Sequence, residues 1–309
     1  MIYYPTPFDP LNHISKFISI NVFAKRDDLY PVVGGGNKAR KLNYILNEEV
    51  RRDHNAIVTA GSGQSNHIRS TALYAAALGW KLICIVHDNK PERYEGNLKI
   101  AKITGAELRF VQKDDVKEAM DKAMADLSSE GYKPYYIWGG GHCVRGSLAY
   151  YEAVKELKDQ LKDLRPDYLF VASGTGTTQA GIEIGTRHLL PGCKVIGISV
   201  AREAKRGKEA VLDSMNELNT YLGNPVKMPE DIVFDDNWVG NGYEATYPEL
   251  SDTIEWAAGT EGLILDPTYT GKAFHALKTY AREGRLESHS NVIFWHTGGL
   301  LNLMASREI

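Results

Sequence analysis

The sequence predicts an α/β fold built on parallel sheets. Two observations carry that reading. Short apolar runs of strand length alternate with helical stretches along most of the 309 residues. Turns rich in glycine, serine and threonine follow several of these runs, and no internal repeat or low-complexity linker breaks the pattern. Strands alternating with helices make parallel sheets covered on both faces, and such sheets bind ligands beyond the carboxyl ends of their strands.

The elements follow in order. After Gly34-Gly35-Gly36-Asn37-Lys38, the residues Leu42, Ile45 and Leu46 recur at helical spacing, so a helix begins near Lys38. Ala56-Ile57-Val58-Thr59-Ala60 reads as a strand, followed by a helix over about 66–78. Residues 82–86 precede a helix ending near Gly105, and residues 108–111 precede one over 116–127. Tyr135-Tyr136-Ile137 leads into a long amphipathic helix carrying Leu148, Tyr151, Val154, Leu157 and Leu161. Residues 168–171 precede a helix from Thr177, and residues 195–200 a helical region with Val211, Met215, Leu218 and Leu222. Val292-Ile293-Phe294-Trp295 is the last strand, ahead of Gly298-Gly299.

Composition narrows the function. The net charge of -3 gives no electrostatic case for nucleic acid or an anionic membrane as partner. Cys84, Cys143 and Cys193 are odd in number and scattered, as expected of a reduced, cytoplasmic setting. The start, Met1-Ile2-Tyr3-Tyr4-Pro5-Thr6-Pro7, lacks the basic and apolar regions of an export signal. No run of about 18 apolar residues predicts a membrane span. A small-molecule partner is expected, and no metal.

Six segments carry chemistry. Lys38 follows three glycines, which admit close approach of a ligand, and it opens a helix whose dipole disfavours its charge. It is either a neutral, nucleophilic amine or an ordinary turn lysine. Gly61-Ser62-Gly63-Gln64-Ser65-Asn66-His67 joins strand to helix; it is either an N-cap or an anion-binding corner for a substrate carboxylate. Ser173-Gly174-Thr175-Gly176-Thr177-Thr178-Gln179 has the makings of a phosphate cradle at a helix N-terminus. It is neither a dinucleotide fingerprint, since Gln179 replaces the third glycine, nor a P-loop. Tyr243, Asp266-Pro267-Thr268-Tyr269-Thr270-Gly271-Lys272 and His296-Thr297-Gly298-Gly299 complete the set, with Tyr269 a stacking residue or general acid. A lysine amine, a phosphate cradle and convergent hydroxyls are the parts that a pyridoxal phosphate enzyme needs.

On these motifs, and on Pro5-Thr6-Pro7 and Lys25-Arg26-Asp27-Asp28, the chain resembles the D-cysteine desulfhydrase and 1-aminocyclopropane-1-carboxylate (ACC) deaminase family. These are fold type II, tryptophan-synthase-β-like pyridoxal 5'-phosphate enzymes, and the likeness runs over nearly the whole chain. It implies two domains, each an open, mostly parallel twisted sheet flanked by helices. Residues 1–44 plus 149–309 would form the large cofactor-binding domain and residues 45–148 the small one. Lys38 would carry the cofactor, and Gly174, Thr175, Gly176, Thr177 and Thr178 its phosphate. Ser65, Asn66 and His67 would meet substrate, Asn66 also the cofactor, while Tyr243 and Tyr269 line the site. Thr270 and Thr297 stand where ACC deaminases have glutamate and leucine, which is the desulfhydrase pattern. Thr297 would then face the pyridine nitrogen and leave it unprotonated, favouring β-elimination.

The reaction implied is release of a thiol or other group, with pyruvate and ammonia, from a D-amino acid by a homodimer. ACC deaminase and a cysteate-type lyase are the alternatives within the family. His142, Cys143 and Arg145 depart from its pattern. His142 and Arg145 are expected on the pocket wall, receiving a second anionic group of the substrate. Outside the family, Ser65, Asp266 and His296 follow the chain order of a hydrolase triad, although His67 breaks the nucleophile elbow. A non-catalytic binding protein is the other alternative, and the presence of Lys38 speaks against it.

Overall fold

A computed structural model of the chain describes residues 5–306. Residues 1–4, part of the stretch read for an export signal, lie outside the described residues. The strands are β1 (Phe8–Pro10), β2 (Asn21–Arg26), β3 (Ala56–Gly61), β4 (Lys81–Val86), β5 (Glu107–Phe110), β6 (Pro134–Ile137), β7 (Tyr168–Ser173), β8 (Lys194–Ser199), β9 (Val233–Asp235) and β10 (Asn291–His296). The helices are α1 (Asn12–Ile18), α2 (Asn37–Ile45), α3 (Glu48–Asp53), α4 (Asn66–Leu78), α5 (Gly96–Ile103) and α6 (Val116–Ser129). They continue with α7 (Val144–Leu161), α8 (Thr177–Leu189), α9 (Ala204–Tyr221), α10 (Pro248–Glu261), α11 (Thr270–Arg282) and α12 (Leu300–Ala305).

Two sheets result: a six-stranded one in the order β1-β2-β10-β7-β8-β9 and a four-stranded one in the order β5-β4-β3-β6. Every pairing is parallel except that of β1 with β2. The central strands are apolar almost throughout because both faces are covered. In the large sheet Phe170, Ile196 and Phe294 pack toward Ile14, Ile254 and Phe274 of α1, α10 and α11. The alternate residues Leu169, Val171, Ile293 and Trp295 pack toward Tyr150, Val154 and Ile182 of α7 and α8. The small sheet buries Ile57 and Cys84 under α2 and α4, and Val58 and Ile83 under α6. Each such side chain contributes about 1.5–3 kcal/mol when fully buried.

The seven strands expected from the sequence are all present. Those not anticipated are β1, β2 and β9. Two are three residues long, and β2 carries Lys25, which reads as a surface residue yet is fully buried. Its ammonium pairs with Glu156 and donates to Thr6 O at 2.8 Å and Gln160 Oε1 at 2.7 Å. Helices α1, α3, α10, α11 and α12 were likewise not foreseen from periodicity. Among the described residues no helix is long and apolar enough to cross a membrane.

Candidate active site

A cavity of about 620 Å³ lies where the carboxyl ends of β3 to β8 and β10 converge. Lys38 sits in the first turn of α2, behind Gly36 as N-cap, with Nζ 3.3 Å from Gly140 O. Burial pulls its pKa down to about 8. Desolvation therefore favours the neutral amine.

The glycines before Lys38 have a different purpose from the one expected. They pack the chain on itself and do not line the cavity. A Cβ on Gly34 would fall 1.8 Å from Arg69 Nη1, one on Gly35 1.9 Å from Asp28 O, and one on Gly36 2.9 Å from Thr297 O. All three have positive φ. Arg69 fills the space, donating to Val33 O at 2.7 Å and Gly35 O at 3.0 Å. Gly36 N donates to Asp27 O at 2.7 Å and Asn37 N to Thr297 O at 3.0 Å. The lysine turn is thus tied to the turn after β10.

Gly174, Thr175 and Gly176 carry the chain from β7 to α8, and Gly176 is the N-cap at φ 101°. No side chain caps α8 and its first turn has no acidic residue, so its leading amides open onto the cavity without an intrahelical acceptor. Asn37 Nδ2 donates to Thr178 Oγ1 at 3.1 Å. Thr177 does not line the cavity; its hydroxyl is taken by Lys41 Nζ at 2.5 Å. Lys41 carried no role in the sequence reading, yet it lies one helical turn beyond Lys38 and beneath the cradle. Its pKa is driven well below the usual value by burial and then by Lys38. Arg202 was also missed. It lines the cavity with Nη1 3.4 Å from Thr175 O.

Ser65 is the N-cap of α4 that the first reading of its turn expects, its Oγ accepting from His67 N at 3.2 Å and Ile68 N at 3.3 Å, and it also faces the cavity beside Asn66. Asn66 Oδ1 accepts from Asn97 Nδ2 at 3.2 Å. Thr59 Oγ1 gives its one proton to Ile137 O at 2.8 Å, so His67 Nε2, 2.8 Å away, is the donor to Thr59. Burial, then Lys38 and Lys41, push His67 down to about 3, which keeps the imidazole neutral.

Across the cavity the hydroxyls of Tyr243 and Tyr269 bond to each other, with ring centroids 5.8 Å apart at 84°. Burial raises Tyr243 to about 12 and Tyr269 well above the usual phenol value, so both keep their protons.

Two further expectations are corrected, and one alternative falls. Thr270 does not face the cavity: its hydroxyl donates to Asp266 Oδ1 at 2.6 Å, and that carboxylate accepts the amides of Thr268, Tyr269 and Thr270 at the start of α11. Thr297 does line it. His142 and Arg145 lie off the wall. His142 is bonded to the Thr175 backbone and pushed down by burial, while Arg145 donates to Glu49 Oε2 at 2.8 Å near the surface. Arg145→Leu should therefore change kcat/KM by less than about twofold on neutral and acidic substrates alike. A selective loss on acidic ones in steady-state assays would restore Arg145 to the site. The hydrolase triad is not assembled either. His296 Nε2 donates to Ile264 O at 2.8 Å, its Nδ1 accepts from Gly298 N, and Asp266 is committed to α11.

The cavity is basic. Lys38, Lys113, Lys117 and Arg202 line it, against Asp114 as the one carboxylate among the described lining residues. Uncapped amides at a helix N-terminus suit a phosphate, and a lysine amine held only by the Gly140 carbonyl in the same cavity suits a carbonyl carbon. That donor set fits pyridoxal phosphate.

Comparison with known proteins agrees. Residues 1–298 match the family described as pyridoxal-phosphate dependent enzyme. A Pyrococcus abyssi protein provisionally named a 1-aminocyclopropane-1-carboxylate deaminase is 36% identical over 305 residues, covering 97% of this chain and 91% of the relative. A D-cysteine desulfhydrase of Salmonella newport is 30% identical over 308 residues, covering 97% and 93%. A crystal structure described as an ACC deaminase homologue superposes with a TM-score of 0.89 at 34% identity, covering 97% of this chain and 91% of that one.

Proposed function

Since the chain belongs to the pyridoxal-phosphate-dependent enzyme family, we propose that it is a lyase eliminating the β-substituent of a D-amino acid, D-cysteine first among them. D-cysteine and water would give pyruvate, ammonia and hydrogen sulfide. The observation that carries this is Thr297, a neutral hydroxyl on the cavity wall after β10, in a site whose one described carboxylate is Asp114. The Salmonella relative's name supports the same reaction, and the Pyrococcus relative's name supports ACC deamination as the second reading.

When bound, the cofactor supplies an electron sink for the substrate's α-carbon. Lys38 would anchor it covalently, the amides at the start of α8 with the hydroxyls of Thr175 and Thr178 would take its phosphate, and Asn66 and Thr297 would meet its ring. The Lys38 amine would take the substrate's α-proton, a task suited to a group titrating near 8. Ser65 and Asn66 receive the substrate carboxylate, while His67, whose ring proton is given to Thr59 and whose amide is given to Ser65, has no donor left for it. The Cβ–S bond then breaks with its electron pair on sulfur, and Tyr269, protonated at neutral pH, gives that sulfur a proton while Tyr243 shares the charge left behind.

We further propose a cytoplasmic homodimer divided as 1–44 plus 149–309 and 45–148. The strands of the small sheet all lie between Ala56 and Ile137, which supports that division. Light scattering and limited proteolysis test assembly and boundaries. The reaction is tested by assaying D- and L-amino acids and ACC for keto-acid release. D-cysteine should lead, and a comparable kcat/KM on ACC overturns the reading.

A further inference from the structure

Residues 236–247 join β9 to α10 and bring Tyr243 to the cavity. The loop lies against the first turn of α11, where Lys272 is fully buried. The Lys272 ammonium donates to Val239 O at 2.8 Å, Gly242 O at 2.8 Å and Tyr243 O at 3.3 Å. An ammonium has three protons to donate, and the three acceptors here are backbone carbonyls of one loop. Among the described residues no carboxylate comes within ion-pair distance of it, Asp266 acting on it only from farther off. A buried charge without an ion partner is costly, and here the three carbonyl dipoles offset that cost. Without the ammonium, three carbonyl dipoles would converge on an apolar space and repel one another. Tyr269 immediately precedes α11, three residues before Lys272. One rigid helix end thus presents Tyr269 to the cavity and grips the loop that presents Tyr243.

We propose that Lys272 is a positioning residue: by gathering the carbonyls of residues 239, 242 and 243 it holds Tyr243 against Tyr269 and sets the hydroxyl pair on the substrate side. The inference rests on the reading of that pair as proton donor to the leaving group. Cofactor attachment is assigned to other residues, so the two effects separate.

The test uses holoenzyme carrying Lys272→Met, Lys272→Ala, Tyr243→Phe and the Lys272→Met/Tyr243→Phe pair. Hydrogen exchange over residues 236–247 should quicken by about tenfold in both Lys272 variants. Their kcat/KM should fall by about 10- to 100-fold, through kcat more than KM, while the dissociation constant for pyridoxal phosphate stays within about twofold. The double variant should lose little beyond Tyr243→Phe alone. Propylammonium, the fragment removed by Lys272→Ala, should saturably restore loop protection in that variant and not in Lys272→Met. Unchanged exchange, losses additive with Tyr243→Phe, or parallel loss of cofactor affinity without rescue each overturns the proposal. If the wild-type enzyme releases keto acid from no amino acid, the reaction falls, but exchange and its rescue still decide the role of Lys272.

Discussion

Lys38→Ala should lower kcat/KM by about 10,000-fold or more, because it removes the covalent anchor and the proton carrier together. Borohydride reduction of the holoenzyme, followed by peptide mapping, should place the reduced cofactor on Lys38. The specific rival is Lys41, one turn away, buried, and also directed toward Gly140 O. Lys41 is already engaged with Thr177, whereas Lys38 has only the Gly140 carbonyl at 3.3 Å. An adduct on Lys41, or a Lys38→Ala protein retaining a tenth of the activity, would sink the assignment. The pH dependence follows from the same burial. Desolvation lowers Lys38 to about 8, so its neutral fraction grows as pH rises and levels off above that value. Cofactor uptake by apoenzyme should accordingly rise about tenfold per pH unit below 7 and flatten above 8. A flat profile between pH 6 and 8 would mean that another step limits uptake.

Much of this was readable in the sequence. Apolar runs such as Leu169-Phe170-Val171 declare buried parallel strands, and the turns after them fell on the cavity as the parallel-sheet rule requires. The rest depends on contacts that one-dimensional spacing does not carry. Gly34, Gly35 and Gly36 are a visible signal whose causes are not: the Arg69 guanidinium crowds Gly34 from a helix some thirty residues on, the Asp28 carbonyl crowds Gly35, and the Thr297 carbonyl crowds Gly36 from the far end of the sequence. Arg145 is near the site in sequence, but a helix start places its side chain by rotation, and Glu49 is where it points. Thr270 stands where ACC deaminases have glutamate, and that family pattern put its hydroxyl beside the pyridine ring. In a helix cap, however, neighbouring side chains diverge, and Asp266 takes its hydroxyl. Lys25, Arg40 and Lys272 were invisible as core residues because charge is read as surface, and each is buried by partners distant in sequence.

Arg40→Leu should be among the most destabilising single changes, by about 3–5 kcal/mol at neutral pH, because it strands buried carboxylates. The Arg40 guanidinium is fully buried. It donates from Nη2 to Asp27 Oδ1 at 2.7 Å, from Nε to Asp27 Oδ2 at 3.1 Å and from Nη1 to Glu156 Oε2 at 2.8 Å. Burial works to raise Asp27 and Glu156, but Arg40, with Lys25, holds both below the usual carboxylate range. Groups lowered on folding give stability that is present above their unfolded pKa, about 4, and is lost as pH falls through the folded values. Without Arg40, burial dominates at Asp27, whose folded pKa then rises. A raised carboxyl favours the folded state on acidification, so the deficit of Arg40→Leu should shrink as pH falls from 7 toward 4. The damage should also reach the site, since Asp27 O holds Gly36 N, two residues before Lys38. Urea unfolding of the two proteins across this range, with Arg145→Leu as the surface control, tests both statements. A deficit below about 1 kcal/mol at pH 7, or one that grows on acidification, would show that the carboxylates do not depend on Arg40.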